Sequence, residues 1–236
     1  MELRLKVGEM VVGFWHNRSK IGVILAPGLP EYITKNHPFV KKINEREFDL
    51  FVLRYPGTWE SGGNFDLKSA VRGIEDVVLL AKSGEARELY GGKILKWNYS
   101  TIFLIGFSFG SLPVLLSQVK DVEKVLLFPF VNSFIHSKNG GEDIPKLFQF
   151  IQEAYPNVYR FNPKSLLTEI DNIDYPKSKK QLLVFSGIND SLIPKQEIEW
   201  LLKNYSCRHI ELNTGHSLSL PDGVYDLLFG GAHETN

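Results

Sequence analysis

A serine between two glycines stands where a nucleophile is expected. The pentapeptide Gly106-Phe107-Ser108-Phe109-Gly110 directly follows an apolar run, 101–105, and precedes a segment with helical character. This is the pattern G-x-S-x-G between a strand and a helix, in which a sharp turn exposes the serine hydroxyl at the edge of a sheet. Glycine suits both flanking positions because a side chain there would collide with the strand or the helix. The pattern predicts Ser108 as a nucleophile, against the simpler interpretation of a small residue in an ordinary turn.

An acid and a base follow in suitable loops further along the chain. A serine hydroxyl at neutral pH needs an imidazole to take its proton, and the imidazole needs a carboxylate to orient it. Asp190 follows the predicted strand 181–186, and His216 follows the predicted strand 208–212. The order nucleophile, acid, base is the one found with G-x-S-x-G turns. We therefore predict that Ser108, Asp190 and His216 act together.

The acid and the base each have a less specific interpretation. Taken alone, Asp190 is typical of an Asx turn or of a cap for the helix after Pro194. Taken alone, His216 is an ordinary loop histidine, and only its position separates it from the others, which are His16, His37, His136, His209 and His233. Asp171 and Asp174 are alternative acids, but both precede the strand that the acid should follow.

Acyl transfer by a serine also needs two hydrogen-bond donors for the oxyanion that forms on the carbonyl oxygen. The N–H of Phe109, directly after the serine, is one candidate. The second should come from the loop after the predicted strand 21–26, where Pro27 and Pro30 have no N–H to offer. That leaves Gly28 or Leu29, of which we select Leu29. The alternative is that this segment is only a Pro/Gly turn leading to a helix over 38–47.

The elements that must position these residues alternate between strands and helices. Alternating polar and apolar residues over 3–7 and 10–15 predict an opening hairpin. Apolar runs typical of strands buried on both faces follow at 21–26, 50–55, 102–107, 124–130, 181–186 and 208–212. Helical spacing marks 67–81, after a predicted N-cap at Asp66, and also 109–119, 195–204 and 220–229. Together they predict a doubly wound, mainly parallel eight-stranded sheet with helices on both faces.

Two segments interrupt this alternation. Residues 84–99 contain a Gly-Gly pair and predict a small hairpin before the strand that carries Ser108. Residues 131–180 separate two core strands by far more than an ordinary connection and include two helical patterns, one after Pro145 and one from Pro163 capped by Asn162. We predict one domain over 1–236, with 131–180 inserted as a helical lid over the strand ends.

Composition limits the class of function. The 236 residues carry 27 basic and 27 acidic side chains, a balance that argues against binding to nucleic acid or to an anionic membrane. The charged N-terminus differs from a signal peptide, and no apolar run is long enough to span a bilayer, so we expect a cytoplasmic protein. Cys207 is the only cysteine, which excludes an internal disulfide and a thiolate metal cluster. We expect no cofactor and no metal.

The combined motifs resemble the α/β-hydrolase superfamily over nearly the whole chain. The resemblance implies a nucleophile turn at GFSFG, an acid at GINDSLIP, a base at TGHS, an oxyanion loop at APGLP and a lid at 131–180. The segment 54–63 is similar to the superfamily's loop after the fourth strand, which commonly forms a wall of the pocket. One departure is that Pro27-Gly28 replaces the superfamily's His-Gly pair in the oxyanion loop.

The resemblance implies a serine hydrolase of acyl esters. Gly28, Trp59, Phe107 and Phe134 are the predicted substrate-binding residues, and the expected partner is a small acyl ester or a short peptide, with a homodimer left open. Aminopeptidase, thioesterase and lipase activities use the same three residues and remain alternatives. An aminopeptidase would need an acidic group for the substrate ammonium, for which Glu31 and Glu60 are the candidates. A non-catalytic binding protein with this fold is the alternative from another class.

Overall fold

The structure, a computed structural model, describes residues 2–139, 143–177 and 180–230. Ten strands are assigned in the described part of the chain: β1 (Leu3–Val7), β2 (Met10–Trp15), β3 (Ile21–Ala26), β4 (Asp49–Arg54), β5 (Glu85–Arg87), β6 (Ile94–Lys96), β7 (Thr101–Phe107), β8 (Glu123–Leu127), β9 (Leu182–Gly187) and β10 (Cys207–Leu212). The helices there are α1 (Pro38–Glu45), α2 (Leu67–Ser83), α3 (Ser111–Leu116), α4 (Ser133–Lys138), α5 (Ile144–Ala154), α6 (Pro163–Asp171), α7 (Lys195–Asn204) and α8 (Asp222–Phe229).

Eight of the strands form one sheet in the order β1-β2-β4-β3-β7-β8-β9-β10. The pairs β1–β2 and β2–β4 are antiparallel, and all later neighbours are parallel. Strands β5 and β6 form a separate antiparallel hairpin within the predicted segment 84–99. Helix α2 begins at the predicted cap, where Asp66 accepts from the N–H of Ser69 at 2.6 Å and the Ser69 side chain bonds back to the Asp66 N–H. No described helix has both the length and the apolar character needed to cross a membrane.

Helices cover both faces of this sheet. Alternate residues of β3 belong to two separate apolar clusters, Ile24 to one and Val23 to the other. Because successive side chains of a strand point to opposite faces, the two clusters lie on the two sides of the sheet. The first contains residues of α2 and α3, and the second contains residues of α1 and α8. The predicted doubly wound, mainly parallel sheet with an opening hairpin is thereby confirmed.

Two predicted boundaries were wrong for local reasons. Strand β8 ends at Leu127 rather than at Phe130, because Phe128 has a φ of 48° and Pro129 has no N–H to donate to a neighbouring strand. The helix predicted over 109–119 ends at Leu116. There, Ser117 is extended and its hydroxyl donates to the carbonyl of Val114 at 2.8 Å, which satisfies a helix end.

The insertion between β8 and β9 contains α4, α5 and α6. Helix α6 begins at the predicted cap, where Asn162 accepts from the N–H groups of Lys164 and Ser165. Strands β7, β8 and β9 are parallel neighbours, so the insertion leaves the sheet at the same edge at which Ser108 follows β7. Ligands of such sheets bind at this edge.

Candidate active site

Ser108 lies in a strained turn at the end of β7. Its φ is 52°, in the left-handed region that a residue with a side chain seldom adopts and that costs about 1–3 kcal/mol. A Cβ built on Gly106 would lie 2.6 Å from the carbonyl oxygen of Gly110, and one on Gly110 would lie 2.0 Å from the carbonyl oxygen of Ala26. Both contacts are with backbone atoms, so neither position has room for a side chain. The glycines of the motif are therefore explained by packing against α3 and β3.

The loop after β3 packs directly against the serine. A Cβ built on Gly28 would lie 3.1 Å from the Cβ of Ser108. The loop is held from the other side by the buried hydroxyl of Tyr55, which donates to the carbonyl of Pro27 at 2.9 Å. Leu29 and Phe109, the predicted oxyanion donors, line the same cavity as Ser108. Both residues predicted to supply the oxyanion donors thus lie around the serine.

Asp190 and His216 are hydrogen-bonded. Asp190 Oδ2 lies 2.9 Å from His216 Nδ1. A carboxylate beside Nδ1 favours the tautomer with the proton on that atom, which leaves Nε2 free to accept a proton. The two loops are also joined through their backbones, since the N–H of Asn189 donates to the carbonyl of Thr214 at 3.1 Å. The geometry suits a general base that is oriented by an acid.

The second oxygen of Asp190 shapes its own loop. Oδ1 accepts from the N–H groups of Leu192 at 2.9 Å and Ile193 at 3.0 Å, as in the Asx turn considered from sequence. Burial acts to raise the pKa of Asp190, but the hydrogen bonds from His216 and from these N–H groups outweigh burial and lower it below its ordinary value. Asp190 therefore holds its negative charge at neutral pH, and its two oxygens make both kinds of contact considered from sequence, one with His216 and one with its own loop.

Ser108 and His216 line one cavity of about 340 Å³. The His216 ring lies between aromatic side chains, with ring centroids 5.2 Å from Phe107 and 5.7 Å from Phe128. The insertion also contributes to the lining, and its apolar residues there are Ile144, Leu147 and Phe148 of α5. The cavity is therefore lined both by residues at the strand ends and by residues of the insertion.

The structure places two of the four predicted substrate-binding residues in the cavity lining. Gly28 and Phe107 line the cavity. Trp59 does not stand among its described lining residues. It packs instead against Tyr32, Tyr155 and Tyr159, with ring centroids 4.6, 6.3 and 5.7 Å away. The side chain of Phe134 lies outside the described part of the structure.

From sequence, one titratable residue was a candidate only for the ammonium site of an aminopeptidase and two histidines were only alternatives to His216, so none of the three was assigned to the cavity. Glu31, His37 and His136 all line it. His136 is almost fully buried, and its Nδ1 makes a short hydrogen bond with Glu197, whose other oxygen accepts from the N–H of Val131 at 2.7 Å. This pair joins α4 to α7. The signal in the sequence was weak, because a histidine in an irregular insertion gives no indication of which strand edge it faces.

A further histidine–carboxylate pair lies elsewhere. His16 Nδ1 is 2.9 Å from Asp49 Oδ2, and Asp49 also accepts from the hydroxyl of Tyr99 at 2.7 Å. Asp49 begins β4, whereas Ser108 follows the end of the parallel strand β7, so this pair lies at the opposite edge of the sheet. Within the described ranges, no cluster of three or more His, Cys, Asp or Glu side chains could hold a metal ion.

Solved structures resemble this chain over nearly its full length. An esterase of Pyrococcus furiosus superposes with a TM-score of 0.71 at 16% identity, covering 98% of this chain and 90% of that chain. The protein Est1E of Butyrivibrio proteoclasticus, solved with ferulic acid bound, gives 0.67 at 15% identity and covers 98% of each chain. An esterase of Exiguobacterium antarcticum gives 0.62 at 15% identity, covering 99% of this chain and 98% of that one.

Sequence comparisons, unlike the structural ones, found no match. No protein-family model matches the chain, and no curated protein matches it. At the identities found among the solved structures, the likeness shows a shared fold, and the chemistry has to be argued from the residues of this chain.

Proposed function

We propose that this chain, which has the α/β-hydrolase fold, is a serine hydrolase that cleaves acyl esters through Ser108, His216 and Asp190. One observation carries the proposal: a serine with a φ of 52° at the end of β7 shares a cavity with a histidine whose Nδ1 is 2.9 Å from a buried carboxylate. A strained serine beside an oriented imidazole is the arrangement needed to activate a hydroxyl. The esterases among the similar structures are consistent with this chemistry.

The first half of the reaction forms an acyl-enzyme. The Ser108 oxygen attacks the ester carbonyl carbon while Nε2 of His216 takes the hydroxyl proton. Negative charge moves to the carbonyl oxygen, where the N–H groups of Leu29 and Phe109 stabilise it. The C–O bond to the alcohol then breaks, and His216 returns the proton to the departing oxygen. Asp190 stabilises the imidazolium throughout, since its pKa is lowered and it stays ionised.

The second half repeats these steps with water. His216 takes a proton from a water molecule, the resulting hydroxide attacks the acyl carbon, and Ser108 leaves with the proton returned by His216. Leu29 is the better donor of the two in its loop. The N–H of Gly28 interacts with the Glu31 carboxyl group and is therefore less available to an oxyanion.

We extend the proposal to the insertion, which we assign as a lid. Helix α5 supplies Leu147 and Phe148 to the lining of the cavity that holds Ser108, so the shape of that cavity depends on where α5 lies. The apolar side chains of that lining favour an acyl or alcohol group with a hydrocarbon portion. Phe107 and Gly28 complete the wall beside the serine.

The test is labelling with a fluorophosphonate, which reacts only with an activated serine, followed by mass mapping of the adduct. We expect one adduct, on Ser108, and its loss in Ser108→Ala and in His216→Ala. Ser217 also lines the cavity, so mapping separates reaction at the nucleophile from reaction at a neighbouring hydroxyl. A panel of p-nitrophenyl esters should then be hydrolysed by the wild-type protein.

A matched control comes from another serine–histidine contact. Nε2 of His209 lies 2.8 Å from the hydroxyl of Ser186, on strands β10 and β9, without a strained turn. His209→Gln should keep the full labelling of Ser108. Absence of any adduct on the native wild-type protein would refute the mechanism and favour a non-catalytic binding protein with this fold.

A further inference from the structure

The described lining of the cavity carries an acidic side chain but no lysine or arginine. Among the described residues that line it, Glu31 is the single carboxylic acid, and none is lysine or arginine. Three histidines complete the titratable set, and burial lowers the pKa of one of them, His37, which favours its neutral form. Any permanent charge on a bound substrate would therefore meet Glu31 and no fixed cation.

The Glu31 carboxyl group is incompletely satisfied within the protein. Its Oε1 lies 3.6 Å from Nε2 of His37, longer than a hydrogen bond, and its Oε2 is buried with no hydrogen-bond partner in the described structure. Burial raises the pKa of Glu31 to about 7, although the N–H of Gly28 and the nearby His216 both act to lower it. A cation placed beside this carboxylate would offset the free-energy cost of ionising it in a partly buried site.

Glu60, the other acidic residue considered for an ammonium site, differs from Glu31 in its ion pairing and in its position relative to the cavity. Its Oε1 lies 2.8 Å from Nε of Arg54 and 3.1 Å from Nε of Arg4, so two guanidinium groups already neutralise it. It is also absent from the described lining of the cavity. The two acids, which the sequence left equivalent, are thus distinguished by what each one contacts.

We propose that Glu31 binds a cationic group of the substrate, an ammonium carried on the acyl or the alcohol portion of the ester that Ser108 cleaves. This inference rests on the proposed function. The cation would balance the charge of Glu31 and favour its ionised form. An anionic substrate is disfavoured, because it would meet Glu31 and the developing oxyanion in a cavity whose described lining has no lysine or arginine.

The experiment compares esters that differ only in charge. One pair is butanoylcholine and its carbon isostere, in which an uncharged quaternary carbon replaces the nitrogen. The other pair is the p-nitrophenyl ester of γ-trimethylammoniobutanoate and its carbon isostere. A quaternary ammonium keeps its charge at every pH and cannot attack its own ester. At about pH 8, where Glu31 is largely ionised, we expect the charged member of at least one pair to have a kcat/KM about 10- to 100-fold above its isostere, because the carboxylate attracts the cation.

The variants assign that ratio to one side chain. Glu31→Gln keeps the shape of the side chain and removes its charge, and it should bring the ratio to within about twofold of unity. Glu60→Gln removes a carboxylate that is already paired with arginine, and it should keep the wild-type ratio. Because the readout is a ratio on one protein, a variant that folds less efficiently changes both of its terms equally.

Three results would overturn the inference. Equal kcat/KM values within both pairs for the wild-type protein would overturn the inference before any variant is measured. Such a result would still establish the esterase activity. A preference for the cation that survives in Glu31→Gln would move the cation site elsewhere. Failure of all four esters together with no labelling of Ser108 would overturn the proposed function, and this inference with it.

Discussion

A methyl group at Gly110 should disturb stability and catalysis together. The Cβ of Gly110→Ala would lie 2.0 Å from the carbonyl oxygen of Ala26 and 2.7 Å from that of Pro27. Both are backbone atoms, at the end of β3 and the start of the oxyanion loop, so no side chain can rotate away. The backbones would have to separate by about 1 Å or more, because a packed interior cannot absorb such an overlap otherwise.

The size of the effect follows from that displacement. Overpacking of this kind costs about 3 kcal/mol, which for a chain of this length lowers the melting temperature by roughly 6–12 °C. The loop that moves carries Leu29, and a misplacement of about 1 Å in a positioning element reduces a rate by about 100-fold. Thermal unfolding followed by circular dichroism, with kcat/KM on a p-nitrophenyl ester, measures both quantities on one preparation.

Gly223→Ala is the matched control. Gly223 lies in α8, and a Cβ built there meets no atom within 4 Å. Alanine is the better helix former, so this variant should gain about 0.5–1 kcal/mol and keep its activity. If Gly110→Ala melted within about 2 °C of the wild type and kept activity within about threefold, the argument that this glycine is required by backbone packing would be refuted.

Two further predictions concern the carboxyl groups of the site. Asp190→Asn places an amide opposite Nδ1 of His216 and disfavours the required tautomer. The kcat should therefore fall by about a thousand-fold or more, while binding of the ester changes little. An unchanged kcat would exclude Asp190 as the orienting acid. Glu31 ionises near 4.5 in the unfolded chain, but burial raises its pKa to about 7 in the folded protein, so ionisation weakens the folded state as pH rises between these values. Glu31→Gln should therefore become more stable than the wild type over that range, by at most about 3 kcal/mol. Urea unfolding at about pH 4 and pH 8 measures the difference, and an equal difference at both pH values would contradict the assignment.

The succession of strands and helices along the chain and the candidate chemistry were accessible from sequence because both are local patterns. Apolar runs such as 21–26 and 102–107 are typical of strands buried on both faces, and a turn that excludes a Cβ at Gly106 and Gly110 has to contain glycine. Asp190 and His216 were identified by their order after the serine and by their positions after predicted parallel strands, which end at one edge of the sheet. The hydrogen bond between them at 2.9 Å lies at that edge.

What the sequence by itself determined was therefore the class of fold and the residues that meet at the strand ends, because periodicity and turn geometry depend on neighbours in the chain. Only the tertiary structure decided what surrounds them. Trp59 was expected in the pocket and packs on tyrosines instead, while His136 reaches the cavity from the insertion. Glu31 and Glu60 were equivalent as sequence positions. Their environments differ because the burial of Glu31 and the pairing of Glu60 with Arg4 arise from segments distant in the chain, and no local pattern records such contacts.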